Sequence, residues 1–203
     1  RRSIRQKSLG VVSTKPKIPK RKRLATEGSH KNQAQKESST EAQRGLLIVD
    51  LQKGFRPGKK LIRKIEKASK NYNWVLQLKF CGGNDLFEKS LGWDPKKKDL
   101  KQCLPGIGKT FKKQGYGAPK KALKHIKNTG LKEIHVCGTD IDACVLAICF
   151  QLWDSGIQPI ILEELCQGKY KKAATKIIGR QFGRMARQAG GGAIANTATG
   201  TKR

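Results

Sequence analysis

Leu46-Leu47-Ile48-Val49-Asp50 is a run of four apolar residues that stops on a carboxylate. A strand covered on one face alternates apolar and polar side chains, whereas a strand covered on both faces reads as an unbroken apolar run; this is the pattern of a central strand in a parallel sheet. The sequence downstream alternates helix and strand signals. Leu61, Ile62, Ile65 and Ala68 recur at helical spacing among lysines and predict an amphipathic helix that stops near Asn71. Trp74 to Phe80 reads as a second strand, broken at Cys81-Gly82-Gly83-Asn84. Residues 85–106 are polar and irregular, with Gly92, Pro95 and Pro105, and are assigned to loops that cover a site. Ile107 to Lys113 is a weak strand, and Pro119 to Thr129 a helix with Pro in its first turn and Gly130 as its stop. Glu133 to Gly138 is a strand. Asp142 is expected to cap a helix from Ala143 to Asp154, apolar nearly all round, as in a helix packed deep against a sheet. Gln158 to Leu165 is a further strand and Tyr170 to Arg187 a basic helix. Strands that alternate with helices in this way predict a three-layer α/β/α fold on a mostly parallel sheet.

Charge is distributed unevenly. The 203 residues hold 44 Lys and Arg against 15 Asp and Glu, for a net charge of +29. Residues 1–44 carry 13 of the bases and three acids among scattered apolar side chains, too few to offset the entropy of ordering, and predict a disordered basic arm. Residues 45–189 form the expected folded domain, and 190–203, built largely of Gly, Ala, Thr and Asn, a flexible tail. No window approaches the roughly 18 consecutive apolar residues of a membrane span, and the N-terminal residues lack the apolar centre of a secretory signal, so a soluble protein with no membrane partner is expected. Cys81, Cys103, Cys137, Cys144, Cys149 and Cys166 are not spaced as a disulfide framework and include no paired CxxC; reduced thiols in a cytoplasmic compartment are expected. Nuclear or organellar targeting by the basic N-terminus stays open.

In an open parallel sheet, ligands bind beyond the carboxyl ends of the strands. Asp50, Lys113 and Cys144 all fall there. Cys144 lies two residues into a helix headed by Asp142, where unpaired backbone N–H groups and the macrodipole favour a thiolate. On its residues alone it reads more readily as a small buried hydrophobe, while Asp50 reads equally as a strand-end carboxylate accepting loop N–H groups and Lys113 as one more solvated lysine.

Three segments, in order, tip that balance. Residues 45–55 (GLLIVDLQKGF), Lys113-Gln114-Gly115-Tyr116-Gly117 and residues 136–145 (VCGTDIDACV) resemble the opening strand, the lysine segment and the nucleophile loop of the isochorismatase-like cysteine hydrolases. The likeness runs from about Gly45 to Arg187. Phe80, Asn84, Phe87, Glu88 and Leu91-Gly92-Trp93 are similar to a subgroup that lacks the metal-binding D-x-H of nicotinamidases after the second strand, so no metal and no cofactor is expected. The resemblance implies a catalytic triad of Asp50 as base, Lys113 as electrostatic support and Cys144 as nucleophile, Lys113 rather than Lys112 being chosen by its three-residue offset to Tyr116. It further implies a nucleophile loop of Thr139, Asp140 and Ala143, with a cis peptide at Thr139–Asp140 and an oxyanion hole at the N–H groups of Ala143 and Cys144. The expected pocket comprises Phe55, Phe80, Asn84, Trp93 and Tyr116. Ile141 departs from the family, which usually has Thr or Ser there. The implied activity is hydrolysis of a small amide, carbamoyl or ureido substrate through a thioester, and a homo-oligomer is common among relatives.

The rival reading is a catalytically degenerate relative that binds RNA or a ribonucleoprotein. Net charge of this size attracts phosphate backbones in a salt-dependent way, and residues 15–23 (KPKIPKRKR) form a basic cluster. The first 44 residues contain no Phe, Tyr or Trp, so nucleic-acid binding by the arm would be non-specific. His125 and His135 are expected to be structural, and Asp140 and Asp142 to brace the loop.

Overall fold

A computed structural model of the chain describes residues 45–82, 85–93, 99–183 and the backbone of 185–186. The expected arm at 1–44, the tail at 190–203 and Asn84 lie outside the described residues.

Strand β1 (Gly45–Val49) has all five residues buried, as its unbroken apolar run requires. Burying each of its four aliphatic side chains contributes about 1.5–3 kcal/mol before entropy is counted. It pairs in parallel with β2 (Trp74–Phe80) on one side and β4 (Glu133–Thr139) on the other. Outside these lie β3 (Lys109–Lys113), which pairs with β2, and β5 (Gln158–Gln167), which pairs with β4; the two-residue β6 (Met185–Ala186) adds to β5. Every pairing is parallel, in the order β3-β2-β1-β4-β5-β6. Chain order reverses direction between β1 and β4, and a crevice at the carboxyl ends of those strands is where such a sheet takes its ligand.

Helices cover the sheet. Helix α1 (Lys59–Ser69) buries Ile65 and Ala68 and turns its lysines outward, and α3 (Lys120–Asn128) buries Ala122 and Ile126. Helix α4 (Leu146–Asp154) and helix α5 (Lys171–Phe182) complete the layers. The molecule is thus the three-layer α/β/α fold expected. The two histidines are structural: His135 Nδ1 lies 2.6 Å from the Tyr72 hydroxyl, and the His125 ring lies against Trp74 and Phe111.

Five local expectations need correction. The stretch read as loop from residue 85 contains a short helix, α2 (Asp85–Leu91); its sequence buries no residue, so no apolar face announces it. The weak strand starts at Lys109 rather than Ile107, because Gly108 takes a left-handed φ of +65° and a Cβ there would meet the Val75 carbonyl. Helix α5 ends at Phe182, not Arg187: Gly183 adopts φ +68° and returns its N–H to Gly179, a left-handed C-cap that overrides the basic run beyond it. The helix expected from Ala143 begins instead as a π turn, Ile141–Val145, in which the Val145 N–H reaches back to the Asp140 carbonyl. Asp142 does not cap it. Its carboxylate accepts the Tyr170 N–H at 3.1 Å and ties the turn to the start of α5. Helix α4 is also less enclosed than expected, with Phe150 and Trp153 half exposed and stacked on Phe182.

Gly138 joins the sheet to the site. Its φ is +125°, and a Cβ there would stand 2.0 Å from the Val49 carbonyl oxygen, where neither backbone can yield. Gly138→Ala therefore loses about 3 kcal/mol or more of stability in chemical denaturation, while Gly156→Ala, at a similar φ of +76° but with open space around it, loses less.

Candidate active site

Asp50 follows directly from the buried run of β1. Its backbone is left-handed, with φ +47°, a region that Asp tolerates better than most residues. Three hydrogen bonds hold that turn: Asp50 N–H donates to Leu78 O at 2.9 Å, and Asp50 O accepts from Gln52 N–H at 2.8 Å and from the Thr139 hydroxyl at 2.6 Å. Gln52 then locks the ends of β1 and β2 together, its amide donating to Phe80 O at 2.9 Å and accepting Phe80 N–H at 2.7 Å. The Asp50 carboxylate is fully buried.

Lys113, the last residue of β3, is also buried, while Lys112 faces solvent, so the choice between the two lysines is decided by burial. The Lys113 Nζ lies 2.7 Å from Asp50 Oδ2 and 3.2 Å from Cys144 Sγ, and donates to the carbonyls of Gly115 at 2.7 Å and Tyr116 at 3.4 Å. The contact with Asp50 is that of a buried ion pair, and Lys113, the Cys144 thiol and the Phe80 backbone all favour the charged carboxylate. Cys144 sits in the π turn after β4, with its thiol against both groups. Residues 63 and 31 positions apart along the chain are thus brought together at the carboxyl edge of the sheet.

Electrostatics inside this cluster run against one expectation. Burial pushes the Cys144 thiol up to about 12, and the neighbouring Asp50 carboxylate adds to the shift; Lys113 opposes both without cancelling them. The helix end therefore does not make a resting thiolate. Burial likewise raises Asp50, against the pull of Lys113. The resting arrangement is a neutral thiol beside a buried carboxylate that accepts a proton more readily than an ordinary aspartate.

Of the loop residues, Thr139 turns its hydroxyl to the Asp50 carbonyl, and the Thr139–Asp140 peptide is cis. The Ala143 N–H donates to Asp140 O at 3.1 Å, so in this state it is engaged within the turn. Asp140 and Ala143 both line a cavity of about 350 Å³ that opens onto Cys144. Phe55, Phe80, Trp93 and Tyr116 line it too, with the Trp93 ring centroid 5.1 Å from Phe80 and 5.5 Å from Phe55. Phe87 completes the wall, 5.2 Å from Tyr116 and 5.3 Å from Phe80. It is not among the expected pocket residues, although the segment carrying the subgroup likeness includes it. Leu91, within the segment that carries the subgroup likeness, also lines the cavity, as does Arg56, which has no sequence signal beyond proximity to a motif.

Asp140 is half-buried, and burial, Asp142 and Asp50 together push it up to about 6. With an unfolded value near 4, it binds more proton in the folded chain between those limits, so stability falls as pH rises from about 4 to about 6. Asp140→Asn removes that penalty: in denaturation at pH 7 the variant gains about 1 kcal/mol, discounted for the exposed half of the side chain, and gains nothing below about pH 4. Thiol labelling gives a second test. Alkylation of Cys144 at neutral pH, followed by peptide mapping, is slow in the unliganded protein and accelerates in Asp50→Asn, which removes a neighbouring negative charge while keeping Lys113.

A family model for the isochorismatase domain matches residues 44–190, more than half of the chain. No curated protein matches it. Among solved structures, it is similar to pyrazinamidase of Pyrococcus horikoshii in complex with zinc (TM-score 0.63, 16% identity, covering 72% of this chain and 99% of that one). It is also similar to N-carbamoylsarcosine amidase from Thermoplasma acidophilum (TM-score 0.62, 15% identity, 74% and 99%) and nicotinamidase from Bacillus subtilis (TM-score 0.59, 13% identity, 72% and 100%). At these identities the likeness is one of fold. The described residues contain no group of three or more His, Cys, Asp or Glu that could hold a metal ion. By the match across its folded residues, the chain belongs to the isochorismatase family.

Proposed function

We propose that this protein is a cysteine hydrolase that cleaves a carbon–nitrogen bond of a small amide, carbamoyl or ureido compound through a thioester. The observation that carries the reading is the buried cluster in which one ammonium lies 2.7 Å from a carboxylate and 3.2 Å from a thiol at the floor of an aromatic cavity. A family member that had lost its chemistry would have no reason to keep these three groups together at the cost of desolvating them.

In this mechanism the substrate carbonyl enters over Cys144. Asp50 takes the thiol proton as Sγ attacks the carbonyl carbon, and Lys113 offsets the charge that moves from carboxylate to sulfur. The tetrahedral oxygen accepts from the Cys144 N–H and from a second N–H of the turn; Ala143 serves once its bond to Asp140 is released. Collapse breaks the carbon–nitrogen bond, and the departing nitrogen takes the proton from Asp50, leaving the thioester. Water then attacks that thioester, again giving its proton to Asp50; the acid leaves, and the proton returns to sulfur. A raised Asp50 suits both roles, since a carboxyl that never held a proton could not hand one to the leaving group.

The test is a panel of small primary amides, carbamoyl and ureido compounds, read by ammonia or amine release. Cys144→Ala and Lys113→Met each lose at least about 10³-fold in kcat/KM, and intact-mass spectrometry of the wild type during turnover shows an acyl adduct on the Cys144 peptide. Turnover that survives Cys144→Ala, or a wild type inert across the panel yet tightly bound to RNA at physiological salt, would overturn the reading in favour of the degenerate nucleic-acid-binding alternative.

A further inference from the structure

The cavity wall combines two kinds of group that together select for charge. Phe55, Phe80, Phe87, Trp93 and Tyr116 present aromatic rings, and Asp140 is the one carboxylate among the described lining residues. Asp140 has no ion-pair partner: the ion pairs among the described residues are Lys64 with Glu164, Lys89 with Asp85, and Lys113 with Asp50. Its charged neighbours are instead the like-charged Asp142 and Asp50. Arg56 lines the same cavity but is exposed and does not pair with Asp140. In a chain of net charge +29, a half-buried carboxylate without an ion-pair partner among the described residues is out of keeping with its surroundings. Aromatic faces attract cations through their quadrupoles, and the attraction grows when water is excluded. A rim carboxylate adds a full charge in the same direction.

We infer that the substrate is a small cationic amide, carrying a positively charged nitrogen that rests among the aromatic rings and against Asp140 while its carbonyl lies over Cys144. Asp140 thus acts as a specificity residue for charge. The inference rests on the hydrolase reading for the word substrate, but the preference for a cationic ligand does not depend on turnover. The overall field of the protein repels cations, so a preference for one cannot come from long-range steering and must arise at the wall itself.

The experiment uses an isosteric pair, 3-carbamoyl-1-methylpyridinium and 3-methylbenzamide, which differ in formal charge but hardly in shape. Calorimetry on full-length Cys144→Ala measures binding without chemistry, and kcat/KM on the wild type measures turnover. The cation is expected to bind at least about tenfold more tightly than the neutral amide. That ratio falls at least about tenfold in Asp140→Asn on the same background and recovers in Asp140→Glu, with the fold of each variant checked by circular dichroism. Because each comparison is a ratio between ligands, the greater intrinsic reactivity of the pyridinium amide cancels between wild type and variant. Cation-selective binding without turnover would sink the hydrolase reading and leave this inference standing. Turnover of both amides, or binding of both, with a ratio indifferent to Asp140→Asn would overturn this inference and leave the hydrolase reading standing.

Discussion

A carboxylate and an ammonium buried together at the end of a parallel sheet are the constraint around which the rest of this molecule is arranged. Neither Asp50 nor Lys113 could be buried alone, because an isolated charge in the protein interior is too costly to desolvate. Their pairing at 2.7 Å makes burial tolerable, and the two carbonyls that receive Lys113 supply the solvation its remaining donors have lost. Such a pair contributes little to net stability. What it does is hold a proton acceptor beside a thiol where water cannot compete.

The scaffold supports that pair from behind. Gln52 ties the end of β1 to the end of β2, Thr139 ties the end of β4 to Asp50, and Asp142 ties the π turn to the start of α5. Each tie has at least one end on a segment that carries a member of the cluster. Preorganisation of this kind fixes the three groups relative to one another before any ligand arrives.

Most of the fold was legible because buried parallel strands have a composition of their own: the run at 46–49 could hardly be anything else, and Trp74 to Phe80 is matched residue for residue by β2. The three members of the cluster were legible only as members of motifs. Nothing about Lys113 by itself separates it from 43 other basic residues; what does is that its side chain turns inward where that of Lys112 turns out. The misjudgements share a cause. Helix α2 buries none of its residues and so shows no apolar period, and Gly183 stops α5 through a left-handed turn that the helical pattern on either side conceals. The upward shift of the Cys144 thiol is not legible for a different reason: helix-end electrostatics are local and readable, whereas desolvation depends on what the distant β1 and β3 bring alongside.

The left-handed backbone at Asp50 narrows what evolution can do with this position. A longer acid such as Glu, although it too could accept a proton, would have to adopt a torsion that it rarely visits, and would lose both the short reach and the turn that the Thr139 hydroxyl secures. Asn fits the same turn but holds no proton. An Asp50→Asn exchange would therefore keep the shape of the cleft while removing its proton acceptor, separating the architecture of the site from its chemistry.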